Sequence, residues 1–263
     1  MAKVVEIAKE IEQLAPKFLK EDYDNVGLMV GDEQKEVNKV LLSLDCTNEV
    51  IKEAVELNCD LIINHHPLLF RKPSNIIKGD LVGEKIINLI KEDIALYSCH
   101  TNLDSAKNGI NETIVNILGF NSSRIIEPID SKEYKDGGIG RIVELEKEMS
   151  ISEIIDIVKE KLDIKNMRVV RGNEKVRVLA IINGSGQDFF HKAKSLGADC
   201  IITGDTTYHF VSDFKEMGIS ILDPGHFPTE YIVFLKTLEF LKEKFKDVEF
   251  ITSKQSKDPY EFV

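Results

Sequence analysis

The chain has 263 residues, 43% of them hydrophobic and 30% charged, with a formal charge of −11. That is enough apolar material for a packed core in one large or two modest domains, and the acid excess argues against a general nucleic-acid or anionic-membrane binder, whose footprint is basic. Four cysteines (Cys46, Cys59, Cys99, Cys200) stand far apart with no CxxC pair, so a disulfide framework is not expected and a reducing cytoplasm fits.

The first residues, MAKVVEIAKEIEQL, carry acids in the first turns and no apolar h-region, so no signal peptide is expected there. No apolar run approaches the roughly 18 residues of a membrane span. Ile7, Ala8, Ile11, Leu14, Ala15 and Phe18 fall at helical spacing and predict an amphipathic helix over 3–19. VLLSL (40–44) reads as a buried strand, 48–58 as a helix, LIIN (61–64) as a strand and 81–92 as a helix. IALYSC (94–99) follows as a strand, and 109–118 as a helix stopped by Gly119. Residues 121–138 hold Asn121, Ser122, Ser123, Pro128, Asp130, Ser131, Asp136, Gly137 and Gly138, which is turn chemistry.

The pattern then restarts. Strands are predicted at 139–146, 167–170, 176–182, 200–203, 219–223 and 248–251. Helices are predicted at 150–162, 187–196, 207–217 and, as one long element, 228–245. Such alternation predicts an α/β protein, a largely parallel sheet flanked by helices in each of two related domains. The expected division puts 1–125 with 224–263 in the first domain and 126–223 in the second. Shifting the first half by 139 lays VLLSLDCTNEVIKEAVELNCDLII (40–63) over LAIINGSGQDFFHKAKSLGADCII (179–202), matching Ala54/Ala193, Leu57/Leu196, Asp60/Asp199, Ile62/Ile201 and Ile63/Ile202. Five identities are weak evidence of descent, because βαβ units look alike. Just past the match, though, Asn64-His65-His66 and Gly204-Asp205 both put metal-capable residues after the same strand.

Four of the six histidines follow a predicted strand within a few residues, where open α/β sheets bind ligands. In NHHP (64–67), adjacent histidines on an extended stretch point to opposite sides, and Pro67 favours that stretch. His65 and His66 can then feed two different ions, although a solvated turn explains the pair as well. HTNLD (100–104) offers an imidazole and a carboxylate; Asp104 is a ligand or a helix cap, and His100 a proton relay or an orienting group. DPGHFPTE (223–230) places Pro228 at a first helical position. Glu230 then stands at the third helical position and His226 just before the cap, although Glu230 alone also completes a helix-start motif.

GDTTYHF (204–210) adds Asp205, Tyr208 and His209, the last a weaker proton-transfer candidate or an ordinary helix histidine. His191 reads as surface. NGSGQ (183–187) reads as a plain turn, lacking GxGxxG and GxxxxGK[ST]. Together His65, His66, Asp104, His226 and Glu230 form an imidazole–carboxylate set without thiolate, suited to zinc, manganese, iron or cobalt. Five side chains under-fill two metal shells, and open positions mark a catalytic rather than a structural site.

These segments also carry a resemblance. DNVGLMVG (24–31), SLDCTNEVIKEA (43–54), DLIINHHPLLF (60–70), YSCHTNLD (97–104), TGDTTYH (203–209) and DPGHFPTE (223–230), in this order, resemble the Nif-three-like family of GTP cyclohydrolase I type 2 homologues. The resemblance implies that His65, His66, Asp104, His226 and Glu230 hold two divalent ions. It also implies two α/β domains facing one another across that site, usually in a ring-shaped homohexamer. Two departures are Tyr23, where a tryptophan is frequent, and Met29, where a glutamine is frequent.

Two functions follow as expectations. One is a metal-dependent hydrolase acting on a nucleotide, cyclohydrolase-like, with His100 and His209 as proton-transfer candidates. The other is a non-enzymatic ring that handles metal or binds nucleic acid, against which the net charge weighs. An idle surface is the third possibility, opposed by the clustering of metal-type residues at strand ends.

Overall fold

The computed structural model describes residues 1–122, 124–130 and 134–263. Ser123 and Ser131, part of the predicted break, lie outside the described residues. The chain forms two compact units, 1–103 with 234–257, and 104–233 with 258–263. These limits fall earlier than the turn-rich stretch near 125 and later than 223. The reason is visible in pairing: the break contains a strand that joins the second sheet rather than a linker.

The first unit contains β1 (Ala2–Lys3), α1 (Val4–Leu14), β2 (Gly27–Val30), β3 (Glu36–Val37), β4 (Lys39–Ser43) and α2 (Asn48–Glu56). Then come β5 (Leu61–Asn64), α3 (Leu81–Lys91) and β6 (Ala95–Ser98), before the short α4 (Thr101–Ser105). Polar caps set the helix starts. The Thr47 hydroxyl accepts the Val50 amide at 3.1 Å ahead of α2, and the Asp80 carboxylate accepts the Gly83 amide at 2.8 Å ahead of α3.

The second unit holds α5 (Ile110–Ile117), β7 (Arg124–Pro128), β8 (Gly138–Ser150), α6 (Ile151–Lys161), β9 (Arg168–Val170) and β10 (Lys175–Ser185). It continues through α7 (Phe190–Ser195), β11 (Cys200–Gly204), α8 (Tyr208–Glu216) and β12 (Ser220–Asp223). The helix predicted over 228–245 is two, α9 (His226–Thr237) and α10 (Phe240–Lys244); α10 and β13 (Glu249–Thr252), the last regular element, belong to the first unit.

The first unit's main sheet runs β13-β4-β5-β6-β2. The first four strands are parallel and β2 is antiparallel to β6. The second sheet runs β7-β8-β10-β11-β12-β9, with β10, β11 and β12 parallel. Their cores are built alike. Leu41, Val50, Ala54, Ile62, Ile86, Leu89 and Leu96 pack in the first, and Ile142, Ala180, Phe190, Ala193, Ile201, Phe214 and Ile221 in the second. Burying such residues is the main favourable term in folding.

The internal repeat extends to hydrogen bonding. The Asp60 carboxylate accepts the amides of Asn38 (2.7 Å) and Lys39 (3.1 Å). The Asp199 carboxylate accepts those of Arg177 (2.8 Å) and Val178 (2.9 Å). Both pairs of amides obey the shift of 139. Among the described residues no helix is long and apolar enough to cross a membrane.

Candidate metal centre

In the first unit the polar groups collect where parallel strands end, as the fold predicts. Asp45 follows β4, His65 and His66 follow β5, and His100 follows β6. Because β2 runs the other way, its start meets the end of β6, with Gly27 opposite Ser98. That brings Asp24 to the same edge. One ligand atom from each of His65, His66 and His100 lies within 4.8 Å of the others.

The two adjacent imidazoles therefore converge rather than diverge. The strand ends at Asn64, and the amides of His65 and His66 both donate to the Leu44 carbonyl, at 3.1 and 2.9 Å. A regular extended strand cannot place two successive amides on one acceptor, so the local turn brings both rings to one side. Their centroids are 5.2 Å apart, and Phe234 packs against His65 at 5.7 Å.

Each ring is held by an outer partner. His65 Nδ1 lies 2.8 Å from the Cys99 carbonyl oxygen. A carbonyl only accepts, so Nδ1 carries the proton and the basic lone pair is on Nε2. His66 Nδ1 stands 2.8 Å from Asp45 Oδ1, with the same consequence. His100 Nδ1 is 3.0 Å from Asp24 Oδ1. Burial alone would raise the Asp24 carboxyl; His100 and the hydroxyl and amide of Thr101 outweigh it and hold it below its ordinary value.

The second unit repeats the logic. Asn183 and Gly184 close β10, Asp205 follows β11, and His226 opens α9 just after β12. His226 lies 2.8 Å from Asp205 through Nδ1 and 2.8 Å from Glu230 through Nε2. The buried Asn183 amide donates to Asp104 Oδ1 and to Glu230 Oε1, both at 2.9 Å. Asp104 thus sits within α4 with its carboxylate turned to this set, and α5 takes Gly109 as its cap instead.

Two readings from sequence are corrected here. The helix begins at His226, not at Pro228, so His226 and Glu230 share one face as an i,i+4 pair. Gly225, at φ +104°, makes the turn, its amide donating to Asp223 Oδ1 at 3.0 Å. Pro228 still costs no hydrogen bond there, since first-turn amides have no helical acceptor. Nor is NGSGQ a plain turn. Gly184 sits at φ +54°, and a Cβ on it would lie 2.1 Å from Glu230 Oε1. The backbone is thereby pressed against the acid.

Among the proton-transfer candidates, His100 joins the imidazole cluster. His209 is exposed on α8 with its ring against Tyr208. Asp45, Asp24 and Asn183 were not singled out from sequence. Asp45 and Asn183 could have been, because they follow strands as the histidines do.

The donors fit a divalent ion: imidazoles oriented by carbonyl and carboxylate, and buried carboxylates, while the four cysteines are buried and form no disulfide. Two His/acid clusters can hold metal.

A model of the Duf34/NIF3 (NGG1p interacting factor 3) family matches residues 2–259. The chain belongs to this family. It is 58% identical to the "GTP cyclohydrolase 1 type 2 homolog" of Clostridium perfringens, covering 99% of this chain and all of that protein. Among solved structures, a Bacillus cereus protein related to NIF3 superposes with a TM-score of 0.90 at 27% identity, covering 100% of this chain and 99% of that one. Reduced HcgD from Methanocaldococcus jannaschii superposes with a TM-score of 0.82 at 32% identity, covering 96% and 98%. The NIF3 fold accounts for both sheets and for the strand-end placement of the donors.

Proposed function

We propose that this NIF3 protein is a metal-dependent hydrolase acting on a purine nucleotide, with His65, His66, Asp104, His226 and Glu230 holding two divalent ions, zinc, manganese, iron or cobalt. The observation that carries the reading is the convergence of His65, His66 and His100 at one sheet edge. Neither cluster alone supplies a full shell, which leaves positions for water and substrate. The name of the Clostridium perfringens relative points to the same chemistry.

A bound divalent ion supplies Lewis acidity that lowers the pKa of water toward neutrality. The chain's residues do the rest. His65 and His66 present their Nε2 lone pairs, fixed by Cys99 and Asp45. Asn183 orients the carboxylates of Asp104 and Glu230 by donating to both. His100, with Asp24 Oδ1 3.0 Å from its Nδ1, takes up and returns a proton. His209, exposed on α8 with its ring against Tyr208, is the weaker choice.

For a cyclohydrolase, one water adds to the carbon between the two imidazole-ring nitrogens of the purine and breaks its bond to one of them, and a second water breaks its bond to the other; the carbon leaves as formate and the nitrogens take up protons from the two waters. Metal-loaded protein incubated with GTP should release formate, and His65→Ala should abolish the release. Absence of formate from fully metallated protein overturns the reading and leaves the non-enzymatic ring as its rival. On either reading a homohexamer is proposed, to be checked by sedimentation.

A further inference from the structure

We propose that Tyr23 and Phe70 form a stacking platform for the purine base of a nucleotide beside the imidazole cluster, with Arg71 and Lys72 meeting its phosphates. The inference rests on the nucleotide reading above and names the residues that would select that substrate. It begins with an aromatic pair that burial does not explain. Tyr23 is 65% exposed and Phe70 is 40% exposed. Their rings meet edge to face, centroids 6.0 Å apart at 62°.

The pair is continuous with the site. Phe70 meets His100 edge-on at 6.2 Å and 80°, and His100 meets His65 at 5.1 Å and His66 at 5.7 Å. An unbroken series of rings runs from solvent to the imidazoles, all within the first unit.

The platform's backbone is pinned although its rings are exposed. Next to Tyr23, Asp24 is buried and accepts the Thr101 amide at 3.1 Å. Asn25 then donates from its side chain to the Leu69 carbonyl at 2.8 Å, tying the segment of Tyr23 to the segment of Phe70. Fixed aromatic rings stack on a base with little entropy to lose, and stacking is open to any planar heterocycle. An exposed aromatic pair that continues into the imidazole donors offers an apolar face beside polar groups, which is the make-up of a ligand site.

Charge supplies the second argument. The chain carries −11 formally, which repels a polyphosphate. Arg71 and Lys72 follow Phe70 directly and are exposed. A guanidinium and an ammonium there give local cations where a nucleotide's base would already be held.

The chain contains no tryptophan, so Tyr23→Trp installs a single indole reporter at an exposed position. Guanosine and GTP are titrated into the metal-loaded and metal-free forms. Expected is saturable quenching by guanosine in both forms and tighter binding of GTP, with that advantage removed by Arg71→Gln/Lys72→Gln. In the parent protein, Phe70→Ala should weaken guanosine binding by roughly tenfold to a hundredfold in calorimetry, with metal content unchanged. Lack of quenching in protein that still binds its metal overturns the platform. So does blue-shifted emission that acrylamide cannot reach before ligand is added, which would put residue 23 between copies of the chain. Quenching without formate release would sink the hydrolase and leave the platform standing.

Discussion

His66 Nδ1 lies 2.8 Å from Asp45 Oδ1, joining the end of β5 to the end of β4. The carboxylate fixes which nitrogen carries the proton and so which one is left to bind. Asp45→Ala should leave the fold intact, because the Asp45 side chain is 47% exposed. The imidazole would then turn and lose basicity. Outer partners of this kind are worth about 10–100-fold in metal affinity. Competition against a chelator should show a loss of that size for Asp45→Ala and a larger one for His66→Ala. Equal affinities in Asp45→Ala and the parent would remove Asp45 from the site.

Gly184 offers a sharper change. An alanine methyl there would lie 2.1 Å from Glu230 Oε1, on a residue whose φ of +54° already disfavours a side chain. Something must move, and the acid is what lies in the way. Gly184→Ala should therefore lower metal content as measured by elemental analysis. Circular dichroism should remain that of the parent, since β10 keeps its pairing through Leu179–Ile181. Full metal occupancy in this variant would show that Glu230 is not needed as a ligand.

Much of the fold is legible in the sequence because hydrophobic period and turn residues report local structure directly. The Asp60 and Asp199 match, seen as one identity in a weak repeat, proves to be a shared anchor for two strand-entry amides. β2, Gly27–Val30, was not anticipated as a strand, since GLMV is short and lies between turn residues. Its place at a sheet edge comes from pairing with β6, which no local signal carries. The convergence of His65 and His66 escaped for a related reason. Alternation along a strand predicts divergence, and only the shared Leu44 acceptor shows that the strand has ended. Asn183 looked like turn chemistry because its bridging role needs partners 79 and 47 residues away.

Glu53 tests how the chain's final segment is held within the first unit. It is 9% exposed on α2, and its carboxylate accepts the Ser253 hydroxyl and the Lys254 amide, the latter at 2.9 Å. Removing it takes the carboxylate acceptor from the buried Ser253 hydroxyl and from the Lys254 amide, at about 1–3 kcal/mol. Glu53→Ala should lower the midpoint of denaturant unfolding by that amount. Glu53→Gln, which keeps an acceptor oxygen, should lose less. Equal losses would mean that side-chain packing rather than hydrogen bonding holds the segment.

The buried thiols set an alkaline limit on stability. Burial pushes the Cys46 thiol up to about 12 and the Cys59 thiol up to about 11, each from 9.0. An acid whose folded pKa is raised contributes nothing to pH dependence below its unfolded value. As pH rises past about 9, the unfolded chain loses these protons while the folded chain keeps them, so unfolding becomes easier. Stability should thus be level with respect to these groups up to about pH 9 and fall between there and about pH 12. Burial raises the Cys200 thiol as well, so Cys46→Ala removes one of three thiol contributions at the cost of a small cavity, and its curve should start lower and fall less steeply above pH 9. At pH 8 the native protein should resist iodoacetamide at both positions, since the thiolate is the nucleophile. Rapid labelling of Cys46 at pH 8 without unfolding would contradict its burial.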